Sequence, residues 1–272
     1  MSFYAQKFPH IEVQLKDHFQ LWISLNNPLQ MNAITHEMID SLVSVLKHAD
    51  FDKLIRVIVL TGNGKNFCAG GDILAMKDKS GMFAGESNEL RMRYMHGIQQ
   101  IPRCIEEIST PIIAMVNGAA IGAGCDLAMM CDLRIGSTST KFGETFTRMG
   151  LVPGDGGTFF LQRVLGYAKA MQMFLTAEIF EGKKAFEFGL LNNLFEDSAL
   201  LGETEKYAAL IASNAPIAQA MTKKAMKISY LSDLHTSLDV LANFQGISQR
   251  TNDHFEALNA FNEKRSPHFK SE

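Results

Sequence analysis

Apolar residues along the first two thirds of the chain alternate between short strand-like runs and stripes of helical spacing. Residues 12–15 and 21–25 are two such runs around Lys16-Asp17-His18, the pattern of a β-hairpin. Asn26-Asn27-Pro28 breaks the chain there. Thr35 stands where a helix N-cap is needed, and Met38, Ile39, Leu42, Val45 and Leu46 follow at spacings of three and four. Val57-Ile58-Val59-Leu60 is apolar throughout, so both faces of that strand are expected to be buried. It ends at Thr61-Gly62-Asn63-Gly64. A second apolar strand, 111–116, ends at another glycine-rich turn. Between them, 80–87 carries two glycines and reads as a mobile loop, and 89–108 reads as helix. Leu133-Arg134-Ile135 is a further strand, followed by a polar turn and Lys141-Phe142-Gly143.

Recurring strand–turn–helix units predict parallel strands joined by right-handed crossovers, hence an α/β fold. After about residue 200 the pattern is helical only, over 200–214, 217–230 and 232–250, with Pro216 as a separator. Thr251 caps a last helix containing Phe255, Leu258 and Phe261. The expected organisation is therefore an α/β core over 1–199 and a helical region over 200–272.

Composition narrows the class. The 272 residues are 46% apolar and 20% charged, as in ordinary globular proteins. A net charge of −3 argues against nucleic acid as a partner. No apolar run approaches the roughly 20 residues of a membrane-spanning helix. Met1-Ser2-Phe3-Tyr4-Ala5-Gln6-Lys7 lacks the apolar stretch of a signal peptide. Cys68, Cys104, Cys125 and Cys131 are unevenly spaced in apolar context, which suits reduced thiols and a cytoplasmic protein. Cys125 and Cys131 have no histidine pair at ligand spacing, so no metal site is expected. Ser41, Ser109 and Ser137 lack a nucleophile-elbow context, and Gly62-Asn63-Gly64-Lys65 lacks phosphate-loop spacing.

Candidate chemistry lies in two stretches, Asn66-Phe67-Cys68-Ala69-Gly70-Gly71-Asp72 and 117–126, the latter reading NGAAIGAGCD. Each follows an apolar strand and leads into a helix-like segment. Glycine and alanine let the backbone approach a ligand, and N–H groups at a helix start are free to donate. Two such turns facing one point would supply converging donors for a developing oxyanion. Asp72 reads as an N-cap for the next helix.

These turns, their preceding strands, Gly150-Leu151-Val152-Pro153-Gly154-Asp155-Gly156-Gly157-Thr158 and Phe261-Asn262-Glu263-Lys264-Arg265 together resemble the crotonase superfamily of enoyl-CoA hydratases and isomerases. The resemblance runs in order over nearly the whole chain. It implies a spiral of ββα units with a C-terminal helical region that makes homotrimers, often paired as hexamers. It implies an acyl-CoA thioester substrate and no prosthetic group. The thioester oxygen would sit between the N–H groups of Gly71 and Ala123. CoA would meet backbone near Ala33 and Ala69, with Phe261 and Lys264 reaching it from a neighbouring subunit.

The carboxylates depart from the hydratase pattern. Its first glutamate falls on Asp126, which is one methylene shorter. Its second falls on Phe146, which can neither donate nor accept a proton. Glu144, two residues earlier, shares a strand face with it if the segment is extended, and is open between pocket and solvated strand end. Asp155 stands where typical hydratases have a small residue, near the point where some isomerases of the superfamily place an aspartate. Asp126 and Asp155 are the expected polar pair, with Asp155 the proton carrier, although aspartates near helix starts can also be caps. The expected reaction is hydration of an enoyl-CoA or a shift of its double bond. Decarboxylation, C–C cleavage, or thioester binding with little catalysis are the alternatives.

Overall fold

A computed structural model describes residues 3–272; Met1 and Ser2 of the N-terminal stretch lie outside the described residues. Strands β1 (Ile11–Lys16) and β2 (Gln20–Leu25) form the expected antiparallel hairpin, Ile11 opposite Leu25 and Lys16 opposite Gln20. Thr35 accepts from the Met38 N–H and caps α1 (His36–Phe51), which buries Met38, Ile39, Leu42, Val45 and Leu46. Strand β3 (Val57–Gly62) is buried at every position. Helices α2 (Ile73–Lys77), α3 (Ser87–His96) and α4 (Gln100–Glu107) lead to β4 (Ile112–Val116).

The expected single helix over 89–108 is two helices. Gly97 ends α3 with φ −107° and ψ −111°, and a side chain there would strike the Arg93 carbonyl. Pro102 is tolerated because it falls in the first turn of α4, where an N–H has no intrahelical partner. The segment 80–87 is also not wholly loop. Gly81–Phe83 forms a 3₁₀ turn, and Ser87 opens α3 with Glu86 and Glu89 as a capping box.

Next come β5 (Ala119–Ile121), α5 (Ala123–Met130), β6 (Leu133–Ser137), β7 (Lys141–Gly143), α6 (Gly157–Leu165), α7 (Tyr167–Thr176), β8 (Ile179–Glu181), α8 (Gly182–Phe188) and β9 (Asn193–Phe195). The main sheet has the order β1-β2-β3-β4-β6-β9, parallel from β2 onward. A second sheet, β5-β7-β8, stands beside it, with β5 and β7 parallel. Its strands are too short for any apolar period to register.

Period-two alternation explains why β2, β3 and β4 are apolar on both faces. Leu21, Ile23, Leu25, Ile58 and Leu60 enter one core with α1, α4 and α5. Trp22, Val57, Val59, Ile113 and Met115 enter a second core, covered by Leu200, Ala208 and Ala212 of α9 (Leu200–Ala212). Beyond it lie α10 (Pro216–Leu231), α11 (Leu234–Ser248) and α12 (Asn252–Glu263). These three helices carry exposed apolar side chains, Met226, Tyr230, Leu234, Leu238, Phe255 and Phe261 among them. No helix of the described residues is long and apolar enough to cross a membrane.

Candidate active site

Parallel strands β3 and β4 deliver their exits side by side, and Asn117 ties them. Its Nδ2 donates to the Gly62 carbonyl at 2.8 Å and the Gly64 carbonyl at 3.0 Å. The two glycine turns then pair directly. The Cys68 N–H donates to the Ala119 carbonyl, and the Ile121 N–H donates to the Cys68 carbonyl, both at 3.0 Å. This contact requires bare backbone. Gly70, at φ +90°, would place a Cβ 2.6 Å from the Ile121 carbonyl oxygen and 3.2 Å from the Ala123 nitrogen. A Cβ on Gly124 would strike the Cys68 carbonyl.

Gly122, at φ +53°, turns the chain into α5, so Ala123 is its first residue. Among the described residues, neither the Gly71 nor the Ala123 N–H donates to a carbonyl of the chain. Both residues, with Asp155, line one cavity of about 30 Å³. Its other walls are apolar and aromatic, with Phe83, Tyr94, Phe146 and Leu151 among them. A wider cleft of about 560 Å³ shares Ile34, Met82 and Phe83 with it.

Ala33 and Ala69 flank the first turn. Ala69 donates to the Met31 carbonyl at 3.0 Å, and Ile34 donates to the Gly70 carbonyl at 2.8 Å. The fully buried Asn32 locks this loop, its Nδ2 donating to the carbonyls of Asn63 and Asn66 at 2.9 and 2.8 Å. Phe261 and Lys264 lie elsewhere, on and just past α12. Phe261 is 83% exposed, and neither residue lines the cavity or the cleft.

Three carboxyls gather at and behind the cavity. Asp126 projects from the first turn of α5 onto Gly157, where a side chain in place of hydrogen would occupy the position of its Oδ1. Glu144 follows β7, and Asp155 sits in the turn before α6. Asp126 and Glu144 are 0% exposed and Asp155 2%, and none of their six oxygens has a hydrogen-bond partner of normal geometry. Burial holds Asp126 well above the usual carboxylate range, and the charges of Glu144 and Asp155 push it further. Burial likewise raises Glu144 to about 7 and lifts Asp155. Glu144 is thus deeply buried, not a solvated strand end, but it does not line the cavity.

Capping does not account for these aspartates. Gly156 and Gly122 are the N-caps of α6 and α5, and neither helix has a side-chain cap. Asp72 does cap, its Oδ1 accepting from the Ala75 N–H at 3.0 Å. Phe146 faces the cavity, its ring 3.7 Å from where a Gly122 Cβ would lie.

Tyr94 escaped the sequence reading. It lines the cavity and packs on Gly154, and burial plus the Asp155 charge raise its phenol. Nothing in its local sequence marks it, because α3 adjoins no motif. Cys68 lies under the first turn, accepting from the Gly70 N–H and donating to the Asn32 carbonyl. Burial pushes its thiol up to about 12, so it is a packed group and not a thiolate nucleophile near neutrality.

The sequence model of the enoyl-CoA hydratase/isomerase family matches residues 21–272. A crotonyl-CoA hydratase of Syntrophomonas wolfei is 35% identical over 246 residues, 90% of this chain and 92% of that protein. A 1,2-epoxyphenylacetyl-CoA isomerase of Escherichia coli is 33% identical, covering 91% and 93%. The crystal structure of an enoyl-CoA hydratase from Bacillus anthracis superposes with a TM-score of 0.90 at 31% identity, over 97% of this chain and all of that one. The chain belongs to the enoyl-CoA hydratase/isomerase family, the crotonase superfamily. It is an enzyme of the lyase or isomerase class, and the compounds its family handles are CoA thioesters.

Proposed function

We propose that the Gly71 and Ala123 N–H groups bind the thioester oxygen of an enoyl-CoA and that Asp155 moves the proton that shifts its double bond. The observation that carries this reading is the cavity wall: of the three buried carboxyls, Asp155 alone lines the space that both free N–H donors also line. The Asp155 carboxylate takes a proton from the carbon next to the thioester. Electrons flow into the carbonyl, and the enolate oxygen is held by the two donors. The carboxyl, whose proton exchanges with solvent while it is held there, then delivers a proton to the far carbon of the allylic unit, so charge and atoms balance. An acid–base group must lie within reach of both carbons, which suits a carboxyl on the cavity wall.

Hydration is the second reading. It is favoured by a relative named crotonyl-CoA hydratase at 35% identity and by Asp126 at the first glutamate position of the pattern. In it, Asp126 with Asp155 or Glu144 orients and activates the water. Phe146 supplies no second carboxyl near the cavity, which weighs against it.

The acyl-CoA is held at Ala33 and Ala69, and Phe261 and Lys264 reach the CoA of a neighbouring copy. The exposed apolar side chains of α10–α12 support a trimer, or a hexamer of paired trimers. The α/β core over 1–199 bears the site, and 200–272 assembles the oligomer. No prosthetic group takes part. Four buried, unpaired thiols support a reducing, cytoplasmic setting.

Turnover of 2-enoyl-, 3-enoyl- and dienoyl-CoA in heavy water tests the reaction. Label at the ends of the allylic system without added oxygen supports the shift, and added oxygen supports hydration. Full turnover by Asp155→Asn would remove Asp155 from its role.

A further inference from the structure

Six buried carboxyl oxygens in one apolar site cannot all remain bare acceptors, because each unmet polar atom costs about 1–3 kcal/mol. Asp126 is within hydrogen-bonding reach of both Asp155 and Glu144, while Glu144 and Asp155 interact only through their charges, so Asp126 links the other two. The groups around this row supply no positive charge. The Cys125 thiol meets Glu144 and feels Asp126, Tyr94 shares the cavity wall with Asp155, the Asp155 charge reaches Cys68, and burial keeps all three of these groups protonated near neutrality. The row also lacks the geometry of a cation site. The Cys125 S–H is a weak donor to Glu144 and a backbone N–H serves Asp155, but contacts between one carboxyl and the next require protons on the carboxyls themselves.

We propose that Glu144 is a positioning residue holding one of two protons shared along the row, its O–H donating to Asp126 and the Asp126 O–H donating to Asp155. Two protons on three carboxyls make a chain of two O–H···O bonds ending on a single carboxylate, the one on the cavity wall. Direction matters. When Glu144 is ionised, the Asp126 hydroxyl has two anions to choose between, and Asp155 loses its donor for part of the time. Glu144 therefore acts on the substrate only through Asp126 and Asp155. Its group is protonated below about pH 7 and loses its proton above it, so the support given to Asp155 weakens on the alkaline side.

This inference rests on Asp155 as the proton carrier, and two measurements separate the two ideas. Infrared absorption of protonated carboxyls in the resting native protein is titrated from about pH 5 to about pH 9. Two buried protonated carboxyls are expected at the acid end, one of them lost through about pH 7, and Glu144→Gln should show a single one with no such loss. A native titration without buried protonated carboxyls, or one unchanged by Glu144→Gln, overturns the proposal.

Kinetics follow the same variants. Glutamine donates permanently to Asp126, so Glu144→Gln should keep kcat within about threefold and lose the alkaline decline near neutrality. Glu144→Leu, which cannot donate, should lower kcat by about 10- to 100-fold with KM changed less than about threefold. Native kcat in the leucine variant, or an alkaline limb that persists in the glutamine variant, overturns it. If the infrared result holds while Asp155→Asn retains full turnover, the shared protons stand and the proposed function fails. Should Glu144→Leu not fold, the glutamine variant and the infrared titration still decide.

Discussion

The two walls of the cavity are built on different principles. One wall is backbone: the Gly71 and Ala123 amides, set by turns that admit no side chain at Gly70 and Gly124. The other is side chain: Asp155 from the turn before α6, backed by Asp126 of α5 and Glu144 at the end of β7, all tuned by burial and by one another. Backbone donors are rigid and indifferent to pH, so they suit any reaction that develops charge on a thioester oxygen. Carboxyls change state near neutrality, so they select the reaction and its pH range. Under the proposed function, the first wall serves a chemistry common to the family, and the second individualises it.

Substitutions can break this contrast from either side. The largest effect is expected at the backbone wall. Gly70→Ala puts a methyl group 2.6 Å from the Ile121 carbonyl oxygen at a positive φ, which separates the turns. Turnover should fall by about 100- to 1,000-fold, the scale of a lost oxyanion donor, at every pH measured. Asp155→Asn comes next, with kcat lowered by about 100-fold or more and substrate affinity retained, read from the KM-against-kcat split. A loss confined to KM would contradict the assignment of the second wall.

The carboxyl wall should also be visible in stability. Glu144 is raised from 4.5 to about 7 on folding, so its contribution is fully present below the lower value and is lost as pH rises through the upper one. Thermal midpoints of the native protein should fall across that interval; Glu144 contributes about 3 kcal/mol of that loss, the raised Asp126 and Asp155 add to it with the same sign, and Glu144→Gln should make the slope shallower. The backbone wall predicts no such slope, so Gly70→Ala should keep it. Tyr94→Phe is the smallest change, about three- to tenfold in kcat, because the phenol touches the site without joining the carboxyl row. A native rate in that variant would leave Tyr94 as apolar lining.

Much of the first wall was legible in the chain. The apolar runs of β3 and β4, the Thr35 cap and the glycines of both turns carry local signals of period, hydrogen bonding and φ, none of which needs a distant partner. Local signals failed where a partner decides. The three-residue strands β5, β7 and β8 exist because they pair. Phe146 could be read as a lost carboxyl, but its place on the cavity wall could not.

What the chain determined alone is the pair of bare turns, because only glycine permits those angles and that close approach. Only the tertiary structure decided that Glu144 is buried beside Asp126 and that Tyr94 reaches the cavity. Those facts depend on α3, α5, α6 and β7 converging from positions far apart in sequence. The proton affinity of a carboxyl follows from the dielectric and charges around it, and these are assembled only when the chain folds.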